Sequence, residues 1–172
     1  MCGLAATFPI AFVRTAATFA HTCVWRTCSK ATNLDSEKVK SVSLIEGEDW
    51  WEAAREGKLD VVRAFVEAGR DVDSKNEDGR TALFLAARFN RFEIVKVLAQ
   101  AGADVDLVDN GGWFPLLLAS YSGHLEVCKY LVEDGKSASI NKAENNGWTP
   151  LKCATDNNRA ATIAYLQSKG AK

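Results

Sequence analysis

The sequence predicts an all-α solenoid of helix-turn-helix units, preceded by an irregular N-terminal extension. Two observations carry this. Residues 78–110 are matched by a second stretch 33 positions on, where Gly79 lands on Gly112, Leu83 on Leu116, Ala86 on Ala119, Leu98 on Leu131 and Gly102 on Gly135. The same shift backwards puts Ala86-Ala87 on Ala53-Ala54, Gly102 on Gly69 and Val105 on Val72, and a fourth copy follows at a spacing of 35 with Gly147, Leu151, Ala154, Leu166 and Gly170. A period held at this many positions marks units that bury their apolar faces against one another.

Residues 1–40 differ in composition from the rest. They are rich in Ala and Thr, contain no acidic residue before Asp35, and are interrupted by Arg14, Arg26 and Lys30. That balance suits a mitochondrial or plastid transit peptide, and equally an unstructured tail. Leu4 to Val13 has no preceding basic residue and contains Pro9, which argues against a secretory signal. Arg14 interrupts any membrane-spanning run, so no membrane insertion is expected. A domain boundary is expected at residues 40/41, with the extension dispensable for folding and units at about 44–77, 78–110, 111–145 and 146–172.

The first unit is altered as an end-cap should be. Glu48-Asp49 stands in place of the turn phrase, and Asp49 favours a helix start because its carboxylate meets unpaired amides. Trp50 takes the register of Leu83, Leu116 and Leu151 and is expected to be buried; Glu52 stands where later units are apolar. In each unit two helices meet at a residue that tolerates left-handed geometry: Gly57, Asn90, Gly123 and Asn158. The second helices carry apolar residues at helical spacing, such as Phe92, Ile94, Val95 and Leu98, and end at Gly69, Gly102, Gly135 and Gly170. Val72, Val105 and Ile140 recur in the crossing loops and are expected to pin them to the core.

The third unit departs twice. Phe114 replaces the threonine that would cap its first helix, although Pro115 keeps a favoured first-turn place. A missing cap costs about 1 kcal/mol, so Phe114→Thr is expected to raise stability. Two extra residues sit within 136–139 and read as a loop insertion without a necessary role. The fourth unit is polar where the others are apolar, with Lys152 and Gln167, as an end facing water requires. Four units capped at both ends are expected to fold alone, as a monomeric array.

Asp78-Gly79-Arg80-Thr81-Ala82-Leu83-Phe84-Leu85-Ala86-Ala87 and Asn146-Gly147-Trp148-Thr149-Pro150-Leu151 resemble the ankyrin repeat, a turn and two antiparallel helices opening on T-P-L-H-x-A. The resemblance covers about residues 44–171. The family histidine is replaced by Phe84, Leu117 and Lys152, and the proline of the second unit by Ala82. The resemblance implies protruding turn tips that form, with the first helices, a concave strip that binds other proteins.

Chemistry-bearing constellations are missing from the sequence. The histidines are His21 and His124, and His124 opens a helix in Gly123-His124-Leu125-Glu126. Gly111-Gly112 is a repeat turn rather than a phosphate loop. Of the five cysteines no pair has metal-finger spacing; Cys128 and Cys153 align with Val95 and Leu85 and read as small buried groups. No enzyme activity, cofactor or metal is expected, and the thiols suit a reducing compartment, the cytoplasm unless residues 1–40 direct the chain to an organelle. Net charge is −1; setting aside the five basic and two acidic residues of 1–40 leaves 16 and 20, a net −4 that does not suit a nucleic-acid backbone.

The expected function is therefore protein binding, with a scaffold or regulatory subunit of an enzyme or transport complex as the alternative. The candidate partner-binding residues are Arg80, Arg88, Phe89, Trp113, Tyr121 and Trp148. They combine the residue types of binding hot spots with positions where the repeat leaves side-chain type free. Phe89 has Glu56, Ser122 and Asn157 as counterparts, so the fold does not need an apolar group there. Trp113 and Trp148 read either as contacts or as packing between neighbouring tips.

Overall fold

The computed structural model describes residues 45, 47–135, 137 and 139–172, all within one compact unit, Leu34–Lys172. The extension, its targeting role and its dispensability lie outside the described residues. Among these are eight α-helices and no strand. Helices α1 (Trp50–Glu56) and α2 (Leu59–Glu67) form the first pair; α3 (Ala82–Arg88) and α4 (Phe92–Gln100) the second. The third pair is α5 (Pro115–Ser122) and α6 (Leu125–Glu133), followed by a 3₁₀ turn, Ser139–Asn141; α7 (Pro150–Asp156) and α8 (Ala160–Ser168) close the array. First helices stack on first helices, α1 on α3 on α5 on α7, and second helices stack likewise. This is the solenoid that the period predicts.

The left-handed joints fall where expected, with φ of 93° at Gly57, 57° at Asn90, 81° at Gly123 and 55° at Asn158. The register of Trp50, Leu83 and Leu116 is fully buried, and beside it Ala53-Ala54, Ala86-Ala87 and Ala119-Ser120 let first helices approach closely. Val72, Val105 and Ile140 pack against the core as expected. A second, smaller apolar cluster lies apart from it: Phe84, Leu85 and Leu118, with Trp51 and Trp113 laid against them.

Helix starts follow side-chain chemistry. Asp49 accepts the amides of Trp51 at 2.9 Å and Glu52 at 3.0 Å; Thr81 accepts from Phe84 and Thr149 from Lys152. Phe114 caps nothing, as the sequence implies, but its ring is fully buried. That overturns the expectation that Phe114→Thr stabilises, because the substitution would remove core volume.

Two other details go beyond the sequence reading. Gly135 follows the end of α6 as expected, but without the positive φ of Gly69, Gly102 and Gly170. The chain instead leaves α6 with the Gly135 amide bonded to the Tyr130 carbonyl and the Ser137 amide to Leu131. The insertion is also anchored: Ser137 is buried, and its hydroxyl donates to the Asp106 carboxylate at 2.6 Å. At the far end Leu151 is half-buried while Lys152 and Gln167 face solvent, the polar closure that a last unit needs.

Candidate partner-binding cleft

The tips are built by one device used three times. Asn76 accepts the amides of Asp78 and Arg80 at 3.1 and 2.9 Å; Asp109 those of Gly111 and Trp113, both at 2.9 Å; Glu144 those of Asn146 and Trp148 at 2.8 and 3.3 Å. A backbone bond closes each hairpin, such as the Asp109 amide to the Trp113 carbonyl at 2.8 Å. An amide or carboxylate that starts the hairpin thus satisfies donors that no helix or sheet would pair. The sequence reading missed this role: its signal is a polar acceptor four positions before each tip residue Arg80, Trp113 and Trp148.

Neighbouring tips then interlock. Asn110 donates through its side chain to the Glu77 carbonyl at 3.2 Å, and Asn145 to the Gly111 carbonyl at 2.9 Å. Gly79, at φ 77°, leaves space that a Cβ would contest: it would sit 2.4 Å from Asn110 Oδ1 and 3.0 Å from the Asn110 amide nitrogen.

A second ladder runs along the helix joints. Arg91 Nε donates to the Arg55 carbonyl at 3.0 Å, and Arg159 Nε to the Tyr121 carbonyl at 3.2 Å. His124 Nε2 lies 3.2 Å from the Arg88 carbonyl and donates to it, since a carbonyl only accepts. His124 is therefore structural, as its place in the sequence implies. Burial holds its pKa below the ordinary histidine value, against the opposing pull of the Arg88 carbonyl. Lys58, at the same joint of the first unit, pairs with Glu48 and Glu56 at 2.8 and 3.1 Å.

Between the second and third units the tips and first helices enclose a cleft of about 640 Å³. Arg80, Arg88, Phe89, Trp113 and Tyr121 all line it; Trp148 does not. Phe84 and Leu118, from the smaller apolar cluster, form its least exposed lining. Trp113 and Tyr121 meet edge to face with centroids 6.2 Å apart. Trp113 is half-buried against both apolar clusters, and Trp148 is half-buried against the core with Lys152 Nζ 4.9 Å from its ring centre. Phe89 and Tyr121 are the exposed large apolar side chains among the described residues, at 38% and 45%.

The cleft's charges are unevenly satisfied. Arg80 pairs with Asp78 at 2.8 Å and Asp109 at 3.7 Å. Arg88 has no ion pair among the described residues; its guanidinium lies 5.4 Å from the Phe89 ring centre. The two described thiols are not poised as nucleophiles. Cys128 and Cys153 are fully buried free thiols, and burial pushes both up to about 11. Among the described residues no group of three or more His, Cys, Asp and Glu is placed to hold a metal, and no helix is long and apolar enough to cross a membrane.

Stacked helix pairs, projecting hairpin tips and a cleft on the tip side define a repeat solenoid of the helix-turn-helix type. The family model for ankyrin repeats in three copies matches residues 50–142 and again 103–172, so most of the chain is covered, and it belongs to the ankyrin-repeat family. A stretch of 38 residues is 50% identical to "Ankyrin repeat domain-containing protein oryK" of Aspergillus oryzae, covering 22% of this chain and 6% of that protein. Ankyrin repeats are generally protein–protein interaction modules, and the family is generally non-catalytic.

Proposed function

We propose that this chain is a non-enzymatic binding module that grips a partner protein across the cleft between its second and third units. The observation that carries the reading is the placement of Phe89 and Tyr121. Both are large, apolar and exposed, and both line one cleft with Arg80, Arg88 and Trp113. Exposed aromatic rings beside arginine are typical anchors, because they bury large area with few rotors to freeze. Trp148 sits one tip further on and contributes at the margin or supports its hairpin. The buried thiols favour a reducing compartment such as the cytoplasm, which a fluorescent fusion of the whole chain tests.

The test begins with retrieval of the partner by the immobilised full-length chain and its identification by mass spectrometry. Binding to the purified partner is then measured for Phe89→Ala and Tyr121→Ala. Truncating a true anchor costs about 2 kcal/mol, so each variant should bind about tenfold more weakly or worse. Melting temperature should barely move, since neither ring belongs to the core. Undiminished binding by both variants sinks the reading.

A further inference from the structure

We infer that the cleft selects an acidic-apolar peptide segment, one whose Asp or Glu side chain meets Arg88 while an adjacent bulky apolar side chain settles over Phe84 and Leu118. The inference rests on the protein-binding reading above and specifies the partner's chemistry.

The argument starts from the charges. Asp109 is largely spent within the protein: one oxygen accepts two tip amides and the other faces Arg80. Asp78 is held by Arg80 at 2.8 Å. Arg88 is the cleft-lining cation with no carboxylate within 4 Å among the described residues. It is nonetheless oriented, because its guanidinium rests beside the Phe89 ring. A guanidinium edge matches a carboxylate with two parallel hydrogen bonds, and no carboxylate of the described residues occupies that of Arg88. Desolvation by a docked chain strengthens the pair, since it removes the water that screens an exposed one.

The second half is apolar. Arg88 and Tyr121 share a register one repeat apart, so they flank the same cleft from successive first helices. Between them the lining falls to Phe84, 2% exposed, and Leu118, 8% exposed, with Trp113 and Tyr121 walling one side. An extended chain spans about 3.3 Å per residue. Neighbouring residues of one short segment therefore reach the guanidinium and the apolar lining together. A basic segment fits less well: it would leave Arg88 facing like charge, while both aspartates are already engaged.

A random peptide library displayed on phage, selected on the folded full-length chain, tests this. Enriched sequences should place Asp or Glu within one or two residues of Leu, Phe, Trp or Ile. Enrichment of basic or uncharged sequences, or no enrichment at all, overturns the inference. An enriched peptide and its Asp→Asn (or Glu→Gln) version are then titrated by fluorescence anisotropy against the natural chain and Arg88→Met. Loss of the peptide's charge should weaken binding to the natural chain by about tenfold, and binding to Arg88→Met by about twofold or less. Equal loss against both overturns the pairing. Phe89→Ala and Tyr121→Ala separate the two levels. If they weaken binding while Arg88→Met does not, the cleft stands and its acidic preference falls. If none of the three matters, both fall.

Discussion

Phe114 occupies a capping position and caps nothing, yet its ring is wholly enclosed. The balance of two effects fixes the outcome of replacing it. A threonine would recover a cap of about 1 kcal/mol. Emptying an aromatic site costs about 3–5 kcal/mol when alanine replaces it, and threonine refills little of that volume. We therefore predict that Phe114→Thr lowers unfolding free energy by about 2 kcal/mol or more; a chemical denaturation midpoint at or above that of the natural chain would refute this. His124 gives a prediction in pH. Its pKa is depressed in the folded state, chiefly by burial, so the folded chain takes up its proton less readily than the unfolded chain. Stability from this residue is complete above the unfolded value of about 6.5 and declines as pH falls through the lower folded value. His124→Gln, which keeps a donor for the Arg88 carbonyl, should flatten that part of the stability profile; an unchanged profile assigns the decline elsewhere. The cysteines give a third. Cys128 and Cys153 should resist iodoacetamide in the native chain and react once it is unfolded, as mapped by peptide mass spectrometry, because their buried thiols stay protonated.

At the scale of the element, the hairpin tip depends on one acceptor. Asp109→Ala removes the partner of two amides and an arginine's counter-ion together. The cost should be about 1–3 kcal/mol, with hydrogen exchange accelerated at Gly111 and Trp113 before the helices. Uniform acceleration across α5 and α6 would show that the tip is no separate unit. The helices themselves were legible in the sequence because apolar spacing, left-handed joints and caps agree, from Asp49 to Thr149. The tips were legible only as turns. Their polar clamps differ in type among Asn76, Asp109 and Glu144, and a position filled by amide, aspartate and glutamate looks like a tolerant surface site. The joint ladder hid for the same reason, since Arg91, His124 and Arg159 share a geometry and not a side chain.

For the whole molecule, the candidate strip was half legible. Repeat arithmetic put Arg80, Arg88, Phe89, Trp113 and Tyr121 on one face, and they line one cleft. Arithmetic does not reveal which side chains face each other across a repeat boundary, so Trp148 was grouped with them although it lies outside that lining. The smaller apolar cluster beneath the cleft was likewise invisible, because Phe84 and Leu118 sit one residue apart in register and belong to different units. The interlocked tips also bear on modularity. The space beside Gly79 is taken by Asn110, from the next hairpin tip along the array. Shuffling these units, or grafting one into a foreign array, is therefore constrained by grammar as well as by length: the Gly79 turn and the asparagine of the following tip have to be inherited together.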